Sequence, residues 1–419
     1  DRASYEDSDF VLEVENCPGR ITVCKPLATL LKEHQEEGLK FCWKNVCSNL
    51  MNVKQEGSGD LDVHGAILAH NMGLGKSFQA VCLLHTLLTH PALVKPASLG
   101  GSSGGRIIHR AMLVAPVNTL LNWETEFQKW LGRNSERSIP AIRFYPWNDQ
   151  RSKIKIIKEW YDYGGILCLS SEKYANSCKR YLDADNSTAS KKANAKKPAA
   201  FTKDDAFLRK ALLNPGPDIV VLDEVHSMLK SNSTNIYKVL SGLSTRRRLG
   251  LTGSPIQNNL YEYYRMASWV RPNCLGAESS FTRKYHDPIM IGMAADCSPI
   301  QAETQEKASS ELHSILSNFV HRRDADVLSK DLPFLQETII HVRQSKVQGK
   351  LYREFRKYQK ENDNKSFFKQ YHALRPVSNH PACLLINEDK KSRARSNTLT
   401  LDEPNEEPVS KARNENEPR

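Results

Sequence analysis

Two kinds of apolar pattern alternate along this chain. Gly65–Ala69, Ala111–Ala115, Ile166–Leu169, Asp218–Leu222 and Arg248–Leu251 are short runs in which nearly every position is apolar. Runs of that length with no polar face predict strands buried on both sides. Between them, Phe78–Leu88, Leu121–Leu131 and the stripe Ile236, Val239, Leu240 and Leu243 repeat at helical spacing. Upstream, Leu27, Leu30, Leu31, Leu39 and Trp43 predict one helix from Leu27 to Val46. Strand alternating with helix predicts an α/β fold, with a parallel sheet flanked by helices.

Polar stretches break this pattern. Residues 1–20 are acidic and irregular and end at Pro18-Gly19, and residues 54–64 are a polar loop. Residues 95–106, rich in Gly and Ser, read as a flexible insertion. Residues 179–203 carry Lys191, Lys192, Lys196 and Lys197 among Ala, Ser and Asn and read as a disordered basic loop, more often a solvated linker than a DNA contact. Residues 387–419 are polar with almost no core formers and are expected to be a disordered tail.

The chain's 419 residues allow two or three domains. No apolar run is long enough to span a membrane, so a membrane partner is not expected. A formal net charge of +11 favours a polyanionic partner, since each neutralised phosphate releases counterions. The ten cysteines are scattered, several in apolar stretches such as Cys82, Cys168 and Cys383. Cys42 and Cys47, the closest pair, lack zinc-ligand spacing, so reduced core thiols are expected. Because the first residue is Asp1 rather than Met, the chain is expected to be a piece of something longer.

Three segments carry candidate chemistry. Met72-Gly73-Leu74-Gly75-Lys76-Ser77 follows a predicted strand and opens a predicted helix, the setting a phosphate-binding loop requires. Gly73 and Gly75 let backbone N–H groups turn towards phosphate without an intervening Cβ. Lys76 offers charge to the β and γ phosphates, and Ser77 offers a hydroxyl to Mg²⁺. His70 stands where the strict pattern has glycine.

Asp223-Glu224-Val225-His226 closes the strand ending at Leu222, at the edge of a parallel sheet where ligand sites form. Asp223 is the candidate Mg²⁺ holder and Glu224 the candidate base for an attacking water. His226 could report the γ-phosphate state. A plain helix start would use the same acidic residues, but the upstream phosphate loop favours the catalytic reading. Thr252 and Ser254, in the loop from Leu251 to Asn259, are candidate coupling hydroxyls that could bond the Asp-Glu-Val-His segment.

These residues resemble the Swi/Snf-type branch of the superfamily 2 helicase-like ATPases, most of all its ATRX and androgen-receptor-interacting subgroup. Leu31–Gly38 resembles the family's opening helix, which implies that Gln35 reads adenine. Ile67–Ser77 resembles the subgroup's phosphate loop. Val114–Thr119 with Asn122, Trp123 and Phe127–Trp130 is similar to a motif touching the nucleic-acid backbone, which makes Thr119 the implied contact. Pro215–Asp218, Asp223–His226 and Leu229–Asn232 match further motifs, and Lys230 is a second implied DNA contact. Leu251–Asn259 is nearly diagnostic, because RNA helicases of the superfamily usually carry Ser-Ala-Thr there. Phe281, Arg283, Pro288 and Ile289 resemble the family's helical protrusion. Leu332, Pro333, Gln348, Leu351 and Tyr352 resemble the bridge to a second lobe, and Asn379–Pro381 its beginning. Val225 departs from the usual Gly or Ala, and Ser77 from Thr.

The resemblance implies a RecA-like ATP-binding lobe at 27–270 after an irregular 1–26. A helical protrusion and linker at 271–345, a bridge and truncated start of lobe 2 at 346–386, and the tail then follow. It implies ATP and Mg²⁺ as cofactors, double-stranded DNA with chromatin or DNA-bound proteins as partners, a second motor lobe in cis, and the nucleus as location. The implied activity is ATP-driven translocation on duplex DNA, with chromatin remodelling. Arginine fingers of a second lobe are worth about 10³ to 10⁵ in rate, so this chain by itself is expected to be weakly active. Two other readings stand beside this one: a truncated, nucleotide-responsive binding module, and an RNA-unwinding helicase of the same superfamily.

Overall fold

The computed structural model describes residues 3–12, 20–47, 65–93, 106–132, 139–147, 152–187, 202–253, 259–328, 336–361 and 367–384. Nine strands lie among them. Two make a small antiparallel pair, β1 (Val11–Leu12) and β2 (Ile21–Thr22). The others form one sheet: β3 (Ala66–His70), β4 (Arg110–Ala115), β5 (Phe144–Pro146), β6 (Gly165–Ser170), β7 (Ile219–Leu222), β8 (Arg248–Thr252) and β9 (Val320–Arg323). Their order is β5-β6-β4-β7-β8-β3-β9, and every pairing is parallel.

The apolar runs form strands because both of their faces are covered. Ile67, Ala69, Met112, Val114, Leu167, Leu169, Val220 and Leu222 bury into one core with Trp160, Leu208, Val239 and Met266 of the helices on that side. The alternate residues Ala66, Leu68, Leu113, Cys168, Val221 and Leu251 bury into a second core with Trp43, Val81, Leu84 and Trp123. Period-two side chains pointing into two cores leave no polar face, and so the runs read as continuously apolar.

Several expectations change. The five predicted strands are joined by β5 and β9. β5 is a three-residue edge strand, too short to show a period. β9 reads Val-His-Arg-Arg, and its edge position tolerates polar side chains. It lies inside the expected linker, so the sheet takes the chain back after the protrusion. The predicted Leu27–Val46 helix is two helices, Lys25–Ala28 and Glu33–Cys47. The second starts where Gln35 Oε1 accepts the Lys32 N–H at 3.1 Å, half of a capping box.

Residues 1–20 are not wholly irregular either. A short helix, Ala3–Glu6, precedes β1, and Tyr5, Phe10 and Leu12 are buried. The basic loop expected from 179 begins as helix, because Ser171–Ser187 runs on with no Gly or Pro to stop it. The loop at 54–64, the tail at 387–419 and the four lysines of the basic insertion lie outside the described residues.

In the protrusion, Phe281, Tyr285 and Ile289 are buried against the helix Pro299–Ser317. That helix starts with a full capping box of Ser298 and Gln301. Among the described residues six cysteines are buried thiols, and burial pushes Cys42 and Cys178 up to about 12. The chain divides into two compact units, Asp1–Pro333 and Phe334–Arg419. Within the second, Gln348 caps the helix Lys346–Glu361 through Ser345. Its amide also donates to Val377 O and Ser378 O of the helix Phe367–Asn379, at 3.1 and 2.9 Å.

Candidate active site

Three strands end at one edge of the sheet and deliver the candidate residues there. β3 leads into the glycine loop, β7 into Asp223 and Glu224, and β8 into Gly253. Parallel sheets place ligand crevices at the carboxyl ends of strands because the loops there can vary while the sheet stays rigid.

The loop turns through two left-handed glycines, Gly73 (φ 85°) and Gly75 (φ 76°). Gly75 then caps the helix Lys76–Thr89. A Cβ on Gly75 would lie 2.2 Å from Gln35 Nε2. Gln35 is close because its Nε2 donates to Leu74 O at 3.2 Å, and His34 Nε2 bonds the same carbonyl at 3.2 Å. Met72 and Gly73 are exposed, Leu74 is buried, and Ser77 is half-buried. Lys76 Nζ donates to His70 O at 2.8 Å and Asn71 O at 3.2 Å. Burial pulls its pKa down, and the charges of Glu224 and Asp223 pull it back up.

Asp223 is held by two donors. Trp123 Nε1 donates to Oδ2 at 2.8 Å and the Glu224 N–H to Oδ1 at 3.0 Å. Burial raises its pKa, the Trp123 bond lowers it, the neighbouring Glu224 charge raises it, and a Thr119 hydrogen bond lowers it. Glu224 takes a left-handed backbone (φ 50°, ψ 51°), uncommon for a residue with a Cβ. Its Oε2 accepts the Gly253 N–H at 3.4 Å and lies 3.4 Å from His226 Nδ1. That nitrogen also meets Thr252 Oγ1 at 2.9 Å. Gly253 therefore stands between the acid and the amine: a Cβ there would lie 3.4 Å from Lys76 Nζ. Val225 packs on Gly250, where an added Cβ would come within 3.1 Å of Val225 Cγ1. The missing side chain at Gly250 leaves the room that Val225 fills.

The structure thus gathers Gln35, Lys76, Asp223, Glu224, His226 and Thr252. Ser254 lies outside the described residues. Thr119 donates to Pro116 O at 3.0 Å and reaches Asp223, so its hydroxyl is engaged inside the site. Lys230 is exposed beyond the helix Val225–Met228, and its carbonyl accepts Arg265 Nη1 at 2.6 Å. Sequence reasoning missed the role of Trp123 as donor to Asp223, although it noted the residue. It also missed His321, which meets His70 from 251 positions away.

Among the described residues no group of three or more His, Cys, Asp or Glu side chains could hold a metal ion. One hydroxyl and one carboxylate suit Mg²⁺, which keeps several waters and takes its remaining ligands from phosphate. A loop closed to any Cβ at Gly75, an amine held on carbonyls and a carboxylate pair together fit a magnesium-bound triphosphate.

The fold is a RecA-like α/β lobe, with the glycine loop and the carboxylate pair at one edge of its sheet. The chain belongs to the SNF2-related domain family, whose model matches residues 34–383. It is 33% identical over 395 residues to the transcriptional regulator ATRX homolog of Drosophila melanogaster, which covers 92% of this chain and 28% of that protein. Helicase ARIP4 of Xenopus tropicalis is 32% identical over 408 residues, covering 91% of this chain and 28% of that protein. Transcriptional regulator ATRX of Homo sapiens is 30% identical over 378 residues, with 88% and 14% covered. The chain therefore spans less than a third of the length of these relatives. Among solved structures, the Sulfolobus solfataricus SWI2/SNF2 ATPase core in complex with dsDNA is similar at a TM-score of 0.47 and 20% identity, covering 89% of this chain and 61% of that one.

Proposed function

We propose that this chain is the first motor lobe of an ATP-dependent double-stranded-DNA translocase of the chromatin-remodelling kind, working in the nucleus on DNA-bound proteins. The observation that carries the reading is the meeting at Gly253. Its N–H reaches Glu224 Oε2, and Lys76 Nζ lies 3.4 Å from where a Cβ on it would stand, so the amine and the acid share one strand edge.

In this reading Lys76 exchanges its two carbonyl partners for the β and γ phosphates, where its charge is worth more. Ser77 and Asp223 would hold Mg²⁺, with Trp123 fixing the orientation of the Asp223 carboxylate. Bound there, Mg²⁺ neutralises charge on the phosphates. Glu224 takes the proton of the attacking water, and its left-handed backbone aims the carboxylate at Gly253 rather than along the strand. His226 shares its Nδ1 between Glu224 and Thr252, so a change at the carboxylate reaches β8 and the Ser254 loop that follows. Gln35, which stands against the loop at Leu74, would read adenine. Lys230 contributes a DNA phosphate contact. Thr119 links any contact at its own turn to Asp223. The relatives' names as transcriptional regulators and a helicase, together with the net charge of +11, support a nucleic-acid partner.

The test is ATP binding and hydrolysis with duplex DNA, RNA or neither. Lys76→Ala is expected to remove ATP binding. Glu224→Gln is expected to leave binding within about threefold and to cut DNA-stimulated hydrolysis by about 10² to 10⁴. Parent-like hydrolysis by Glu224→Gln would show that another group is the base. Stimulation by RNA but not by duplex DNA would replace the translocase reading with an RNA helicase.

A further inference from the structure

β9 returns the chain to the sheet directly beside the phosphate loop. The protrusion's long helix, Pro299–Ser317, leads into buried Phe319, whose carbonyl accepts the Ile67 N–H at 2.8 Å. At the far end of β9, Arg323 O accepts the Asn71 N–H at 3.0 Å, at the first residue after β3. Between these points two imidazoles meet: His70 Nε2 and His321 Nδ1 are 2.8 Å apart, with ring centroids 5.0 Å apart. The His70 side chain is wholly buried, and His321 also rests on the Phe41 ring.

The hydrogen-bond pattern points to one tautomer of His70. Gln79 Nε2 faces His70 Nδ1 at 3.4 Å and can only donate. His70 Nδ1 is then the acceptor, its Nε2 carries the proton, and that Nε2–H donates to His321 Nδ1. Burial lowers the pKa of both rings, that of His70 to about 3, so both are neutral at physiological pH.

This bond bears on the loop because His70 is tied to it through its carbonyl and its Nδ1. Its carbonyl takes Lys76 Nζ. The Gln79 amide on its ring also approaches Leu74 O and Gly75 O, at 3.5 and 3.4 Å. A second link runs alongside, where Arg323 pairs with Glu37 on the helix that carries Gln35.

We propose that His321 is a positioning residue for the phosphate loop: by fixing the His70 ring it sets the geometry in which Lys76 meets the triphosphate, and it makes nucleotide affinity depend on how β9, and through it the protrusion, is seated. The inference rests on the reading of this loop as an ATP site. His321 touches no reacting atom; it acts through His70.

The test compares two substitutions of the full chain by calorimetric titration with ATP and Mg²⁺, with thermal melts alongside. In His321→Gln the amide oxygen can accept from His70 Nε2–H, and affinity is expected within about twofold of the parent. In His321→Leu the buried His70 donor loses its partner, and ATP is expected to bind about five- to tenfold more weakly. Parent-like affinity in a folded His321→Leu overturns the proposal, whatever its melting temperature, because a merely structural role moves stability alone. Equal weakening in both variants overturns it too. Should the Leu variant fail to fold, ¹⁵N spectra of the parent imidazoles decide. Protonated Nε2 on His70, bare Nδ1 on His321 and shifts in both on adding ATP support the proposal; unmoved resonances overturn it. A parent chain that binds no ATP would instead remove the nucleotide-site reading on which the inference stands.

Discussion

Gly75 shows how little freedom the glycine loop leaves a single residue. Its φ of 76° disfavours any side chain, and the place a Cβ would fill is 2.2 Å from Gln35 Nε2. Gly75→Ala would force Gln35 off Leu74 O while straining the backbone. The expected result is a loss of roughly 1–3 kcal/mol in stability and at least tenfold weaker ATP binding, read from melts and titrations. The residue types of this site were legible in the sequence: Gly73, Gly75, Lys76, Asp223 and Glu224 declare themselves by type and order. Their partners were not. Trp123 donates to Asp223 across 100 positions and His321 bonds His70 across 251, and no local pattern records such a pairing. Gln35 was legible as a family residue, but its double use as helix cap and loop prop appears only with distances.

At the scale of elements, what was visible followed burial. Strands covered on both faces read as apolar runs and were found to within about a residue at each end. β9 was missed because an edge strand with one neighbour carries His321, Arg322 and Arg323 without penalty. β5, also at an edge, was too short to register. The protrusion gives a test at this scale. Gly292 lets its helix, Asp287–Gly292, approach Pro299–Ser317 so closely that a Cβ would lie 2.2 Å from Gln305 Cβ. Gly292→Ala should wedge the two helices apart at a cost of about 1–3 kcal/mol. Hydrogen exchange should quicken in Pro299–Ser317 while the strands of the sheet stay protected. Uniform quickening throughout would mean that the protrusion unfolds together with the sheet.

Over the whole molecule, buried neutral histidines tie stability to pH. Burial lowers His70 to about 3 and His85 and His90 to about 4. In the unfolded chain each takes up a proton near the ordinary value of 6.5; in the folded chain none does until the pH is much lower. The unfolded state therefore gains protons first, and stability present above pH 6.5 is lost as the pH falls towards 4. Each histidine contributes on the order of 1–2 kcal/mol of loss at pH 5. Thermal melts from pH 7.5 to 5 should show a steady fall, and a flat profile would mean that these rings are solvated in the folded state.

The sequence by itself determined the class of fold, the order of the chemical segments and the family. Each of these is carried by local repetition or by short contiguous motifs, which need no knowledge of what lies across the sheet. Only the tertiary structure decided that Lys76, Glu224 and Gly253 share one edge, that Trp123 holds Asp223, and that His321 on the returning strand meets His70 at the head of the glycine loop. The physical reason is that hydrogen bonds and packing act over a few ångströms of space. The fold alone brings residues hundreds of positions apart within that range.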